Sequence, residues 1–194
     1  MPAMSRTPTP AGNFLANHFL IAMPALEDPN FQRSVTLICQ HDAEGAMGIV
    51  INRVADYTLG ELLAQMELSA DEGLAAVPLV AGGPVQPDRG FVLHDDPRDW
   101  SSTLRFGDGL AVTTSRDILT AMAGGDGPGN VLVALGYAGW TAGQLEAELA
   151  ENSWLTVPAD RDILFHRPLD QRWQAAAFSA GVDLARLTGY AGHA

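Results

Sequence analysis

Twenty residues constrain this chain more than any others. Ser34 to His41 reads Ser-Val-Thr-Leu-Ile-Cys-Gln-His, Asp42 to Gly45 is short and polar, and Ala46 to Arg53 reads Ala-Met-Gly-Ile-Val-Ile-Asn-Arg. Two apolar, β-branched runs around a polar stretch with a glycine predict a β-hairpin, because glycine supplies the positive φ that a tight reversal needs. Alternation places Val35, Leu37, Cys39 and His41 on one face of the first strand, and Ser34, Thr36, Ile38 and Gln40 on the other. Ile49-Val-Ile51 is apolar on both faces and is expected to lie deeper.

On this alternation Cys39 and His41 share a face. The thiolate is the reactive form of cysteine, and a neighbouring imidazolium stabilises it. The pair is therefore the candidate nucleophile and base of a thiol enzyme, or the sensing pair of a redox switch. More plainly, Cys39 is a small core residue beside a strand-end histidine, since free cysteine is among the most buried residue types.

The rest of the chain surrounds this ribbon with short elements. Phe19 to Ala22 is a strand. Thr58-Leu-Gly-Glu61 is a capping box that opens a helix with Leu59, Leu62, Leu63 and Met66 on its inner face. Pro78 to Ala81 and Arg89 to His94 are strands, and Thr103 to Phe106 with Leu110 to Thr113 is a second hairpin. A second capping box, Thr114 to Asp117, starts another helix. Asn130 to Leu135 is a central strand, turned by Gly136 to Trp140. A helix carrying Leu145 and Leu149 follows, then an edge-like strand, Ser153 to Val157. Helices over Asp160 to Phe165, Pro168 to Ala180 and Val182 to Leu187 lead to a loose end. Interleaved helices and hairpin-linked strands predict an α+β domain with a mixed, largely antiparallel sheet.

The chain has 194 residues, 47% of them hydrophobic, which suits one domain with a substantial core. Residues 1–13, rich in Pro, Ser and Thr, are expected to be a flexible tail, leaving 14–194 as that domain. All 11 basic residues are arginine, against 23 acids and a net charge of −12. That balance makes direct nucleic-acid binding unlikely, and disfavours an anionic membrane surface, because both need concentrated basic charge. A single cysteine forms no internal disulfide, the first residues do not read as a signal peptide, and no run approaches the ~18 apolar residues of a membrane helix. A cytoplasmic protein with no membrane attachment is expected.

Several stretches together resemble the AlgH/YqgE family of bacterial proteins: FLIAMPALEDPNFQRSVTLICQHDAEGAMGIVINR, AGGPVQPDRGFVLH, GLAVTTSRDIL, LGYAGWTAGQLEAEL, ENSWL and a closing RW. The similarity runs from about Phe14 to the C-terminus. It implies a single domain whose curved sheet is partly closed like a barrel, with helices packed outside. It implies no settled chemistry, catalytic residue or cofactor. One branch is named for a proposed regulatory role in alginate production, and the label of transcriptional regulator travels with it.

Gly82, Gly83, Arg89 and Trp140 follow or flank apolar strands, so they are the candidate ligand-binding set: backbone N–H groups and Arg89 for an anion, Trp140 for an apolar wall. Turn punctuation is the alternative for the glycines, and core for the tryptophan. Neither Gly82-Gly83 nor a second glycine cluster, Gly124 to Gly129, has the ending of a P-loop. His41-Asp42 and His94-Asp95-Asp96 would gather round a metal only if their strands were neighbours, and no zinc spacing is present, so no metal is assigned. Ala177 and Gly181 between two helices superficially fit a helix-turn-helix, but Val182 to Leu187 offers base edges a single arginine. The expected function is a non-enzymatic regulatory domain that binds a protein or a small ligand, its oligomeric state left open, with the Cys39–His41 thiol chemistry as the alternative.

Overall fold

The ribbon forms as expected, and the remaining strands assemble on both sides of it. The computed structural model describes residues 14–190, with side chains described as far as Leu187. The expected tail at 1–13 and the last four residues, 191–194, lie outside the described residues. The strands are β1 (His18–Ala22), β2 (Val35–Asp42), β3 (Gly45–Val50), β4 (Val54–Thr58), β5 (Pro78–Ala81), β6 (Val85–His94), β7 (Thr103–Gly107), β8 (Leu110–Thr113), β9 (Val131–Thr141) and β10 (Trp154–Pro158). They pair in the order β10-β1-β2-β3-β9-β6-β8-β7, and β5 joins β4 to β9 beside this path. Only β5 with β9 is parallel; the other described pairs are antiparallel.

The sheet curls into a half-barrel because side chains from nearly every strand converge on one interior cluster. Phe19, Ile21, Leu37, Ile49, Leu93, Val112 and Ala134 meet there. The helices are α1 (Leu59–Gln65), α2 (Glu72–Ala75), α3 (Arg116–Ala123), α4 (Gln144–Ala150), α5 (Arg161–Phe165), α6 (Arg172–Ser179) and α7 (Leu184–Tyr190). Ile163 and Leu164 of α5, Ala176 and Ala177 of α6 and Leu184 of α7 add to the interior cluster. On the other face, α1 and α3 pack Leu59, Leu63 and Ile118 against Leu79, Val92 and Val133. Further along, Leu145 of α4 covers Leu20, Ile38, Trp140 and Trp154.

Local chemistry explains most ends. The Thr58–Glu61 capping box is present in both directions, worth ~1 kcal/mol. The second box is not: Ser115 is the N-cap and makes no side-chain cap bond. Asp117 instead accepts from the N–H and hydroxyl of Ser101 and from the Ser115 hydroxyl, tying α3 to the loop between β6 and β7. The turn expected at Gly136 to Trp140 is absent, because β9 runs straight through it. Gly136, at φ +77°, absorbs the break as a bulge. Opposite it, β6 pairs Val85 with Tyr137 and Gly90 with Leu135, so Gln86 to Arg89 bow out of the ladder.

The far end of the ribbon is sealed by α6. Arg172, buried, donates from Nη1 to the Ile51 carbonyl at 2.7 Å and from Nε to that of Arg167 at 3.0 Å. Burial pulls its guanidinium down to about 10. The Trp173 indole donates to the Ala22 carbonyl at 2.9 Å. The Arg-Trp pair thus pins a helix to the ends of two strands.

Candidate functional site

One extra residue in β2 decides the fate of the Cys39–His41 pair. Ile38 pairs with Gly48 and Gln40 with Met47, so Cys39 is a bulge with no partner of its own in β3. Up to Cys39 the alternation is as expected, with Val35, Leu37 and Cys39 in the interior cluster. Beyond it the faces swap. His41 pairs with Ala46, which belongs to the outer cluster under α4, whereas Gln40 pairs with the interior Met47.

Cys39 and His41 therefore lie on opposite faces, and the expected nucleophile–base geometry is not formed. Cys39 is fully buried, its thiol 3.8 Å from the Leu37 carbonyl, and burial pushes the thiol far above its ordinary value. The His41 Nε2–H donates to Glu146 Oε1 of α4 at 2.6 Å, and its ring stands edge-on to Phe14 at 5.2 Å.

The same swap opens a groove. Gln40 and Met47 join Phe91, Tyr137 and Arg89 around a volume of about 690 Å³ that continues the interior face at the hairpin end of the ribbon. Phe91 and Tyr137 meet edge to face at 5.5 Å and form its aromatic floor. Asp42 and Glu44 line the hairpin side, Val85, Gln86 and Arg89 the β6 side. Arg89 lies 5.6 Å over the Phe91 ring and donates to Gln86 Oε1 at 3.2 Å and to Thr114 Oγ1 at 3.3 Å. No Cys, Ser or His lines the groove among the described residues.

The four expected ligand residues separate. Arg89 and Trp140 border the groove; Gly82 and Gly83 do not. Both glycines are sites of close backbone approach. A Cβ on Gly82 would stand 2.4 Å from the Gly136 carbonyl oxygen, and one on Gly83 2.1 Å from the Tyr137 carbonyl carbon. Trp140 presents no apolar wall, since its partner Ala46 puts its indole on the outer face. There Glu148 Oε2 accepts from the indoles of both Trp140 and Trp154 at 2.9 Å.

His94 is held apart from any metal geometry. Its Nδ1 accepts from the Asp96 N–H at 3.1 Å, so Nε2 carries the proton and donates to Thr113 Oγ1 at 2.8 Å. Burial lowers its pKa and keeps the ring neutral. Asp95 and Asp96 pair with Arg161 and Arg98, and Arg98 holds Asp96 down at about 2. No group of three or more His, Cys, Asp or Glu among the described residues could hold a metal ion. Leu184 of α7 packs into the interior cluster with Ala176 and Ala177 of α6, so the helices around the Ala177–Gly181 turn meet in the core.

The AlgH-like family (DUF179) matches residues 19–185. The chain belongs to this family. UPF0301 proteins of Xanthomonas campestris and Xanthomonas axonopodis are 62% identical over 192 residues, 98% of this chain and all of theirs. The solution structure of AlgH from Pseudomonas aeruginosa is similar at a TM-score of 0.76 and 51% identity, covering 92% of this chain and 95% of that one. A crystal structure of a Corynebacterium diphtheriae protein, 21% identical at a TM-score of 0.64, covers 83% of this chain and 84% of its own, and shares the fold. No described helix is long and apolar enough to cross a membrane.

Within this AlgH-like half-barrel, the groove residues that sequence reasoning missed are Gln40, Met47, Phe91 and Tyr137. One signal could have found Tyr137. A glycine inside an apolar strand marks a bulge, and Gly136 sits immediately before Tyr137.

Proposed function

We propose that the protein is a non-catalytic, cytoplasmic, ligand-responsive domain that takes a small molecule or a protein segment into the groove at the hairpin end of the half-barrel. Any part it plays in transcription is indirect. The observation that carries this reading is the groove itself. An aromatic and methionine floor is flanked by one guanidinium on the β6 side and two carboxylates on the hairpin side. A concave site of this volume suits a small ligand. The ligand class is a molecule with an apolar body and an anionic group that meets Arg89. The burial of Cys39 away from His41 supports binding over thiol chemistry.

The test is a titration of the full chain with a library of small anions bearing apolar bodies, followed by amide NMR shifts. Binders are expected to move Gln40, Met47, Tyr137 and Gly139 together, and Arg89→Gln is expected to weaken them at least tenfold. Turnover of any compound, abolished by one change in the groove, would overturn the reading. Steeply salt-dependent retention on DNA would overturn its indirect part.

A further inference from the structure

A second cavity, of about 400 Å³, lies between α1, the bowed segment of β6 and the start of α3. Leu62, Val92 and Leu119 form an apolar wall, and Arg89, Thr114 and Arg116 supply donors. The arginines are the informative part. Of the ten described arginines, Arg98, Arg105, Arg161, Arg167 and Arg186 stand within 4.0 Å of a carboxylate. Arg33 lies over the Trp173 ring, Arg53 donates to the carbonyls of Asn30 and Gln32, and Arg172 is buried under α6. The remaining two, Arg89 and Arg116, make no ion pair among the described residues, in a chain with 23 acids, and both line this one cavity.

Both guanidiniums are tethered beside the cavity. Arg116 Nη2 donates to the Met66 carbonyl at the end of α1, and Arg89 Nη2 to Thr114 Oγ1. Each guanidinium carries five N–H donors, so one or two tethers fix its direction and leave the rest available. Asp117 is turned away toward Ser101 and Ser115. Asp88 lines the rim without pairing to either arginine. The N–H groups of Arg116 and Asp117, in the first turn of α3, donate to no described group, and the positive end of that helix adds to the field.

We propose that this cavity binds a phosphomonoester with a small apolar body. The phosphate sits between Arg89 and Arg116 with the Thr114 hydroxyl, and the body lies against Leu62, Val92 and Leu119. Two planar guanidiniums match the three oxygens of a phosphate and its double charge better than they match one carboxylate. This cavity shares Arg89 with the groove and is told apart from it by Arg116, which does not line the groove.

Calorimetric titration of the full chain with phenyl phosphate and with inorganic phosphate, at constant ionic strength, tests it. Phenyl phosphate is expected to bind at least tenfold more tightly than inorganic phosphate, and its amide shifts to centre on Thr114 to Asp117 and Leu62. Arg116→Gln is expected to cost at least tenfold in affinity, Arg116→Lys less. The spectrum outside the cavity and the binding of groove ligands should stay unchanged. Equal affinity for the two phosphates, unchanged affinity in Arg116→Gln, or shifts centred on Arg98 and Arg105 would each overturn the proposal.

Discussion

The two ends of the β2–β3 ribbon are built on different terms. At the far end, side chains answer the backbone. Asn52 accepts from the Val35 N–H and donates to the Arg33 carbonyl, and Arg53, Arg172 and Trp173 donate to five further carbonyls. These strand-end backbone groups are thereby satisfied. At the hairpin end, the Cys39 bulge turns Gln40 inward and His41 outward, and the inner face stays open as the groove. One ribbon thus separates fold strength from binding capacity along its own length.

The largest expected effect tests whether the glycines near the groove belong to the frame or to the ligand site. In Gly83→Ala the new Cβ meets three backbone atoms of Tyr137 and Ala138 at 2.1–2.4 Å, at a φ of +156°. Backbone cannot yield as a flexible side chain would, so urea melts should show a loss of about 3 kcal/mol. A variant of unchanged stability that no longer binds groove ligands would return Gly83 to the site. Next comes the sealed end. Arg172→Ala leaves the Ile51 and Arg167 carbonyls without their donor, and is expected to cost about 2 kcal/mol. Part of the loss is offset because a costly buried charge disappears. Hydrogen exchange should quicken near Ile51 and Ala22 and stay unchanged at Met47 and Tyr137. Faster exchange at both ends would mean that the ribbon is one cooperative unit.

Most of the fold was legible because its signals are local. The hairpin, the Thr58–Glu61 box and the alternation from Val35 to Cys39 each depend on a few adjacent residues. The site was less legible because it depends on two places where period-2 alternation breaks. A bulge at Cys39 carries no glycine to announce it, so His41 falls on the face opposite to the one alternation gives it. Gly136 did announce its break, but a glycine followed by a tyrosine looks equally like a turn. Trp140 and the Gly82–Gly83 pair were candidates for contact with a ligand by residue type and by their place beside apolar strands. Their roles follow from which strand lies beside them: Ala46 sends Trp140 outward, and the backbone of β9 leaves the two glycines no room for a side chain. Pairing across long sequence distances is what residue type does not encode.

The smallest effect concerns what holds the open end. His41 and Glu146 join β2 to α4 across 2.6 Å, with the glutamate side chain 47% exposed. Its own backbone N–H, and then His41, hold the Glu146 carboxyl below its ordinary value of 4.5. A carboxyl whose folded value is depressed contributes stability that is present above the unfolded value and lost as pH falls below it. Glu146→Gln should therefore cost at most ~1 kcal/mol at pH 7, the usual ceiling for a solvent-exposed pair. The difference from wild type should shrink as pH falls below 4.5, since both chains then carry a neutral side chain at this position. Urea melts from pH 7 to pH 3 read both quantities. If the two curves run parallel through the acid range, the clasp adds nothing. The open end would then be held by the packing of Leu145, Trp140 and Trp154 alone, and the contrast with the sealed end would be sharper, with polar contacts fixing one end of the ribbon and apolar packing the other.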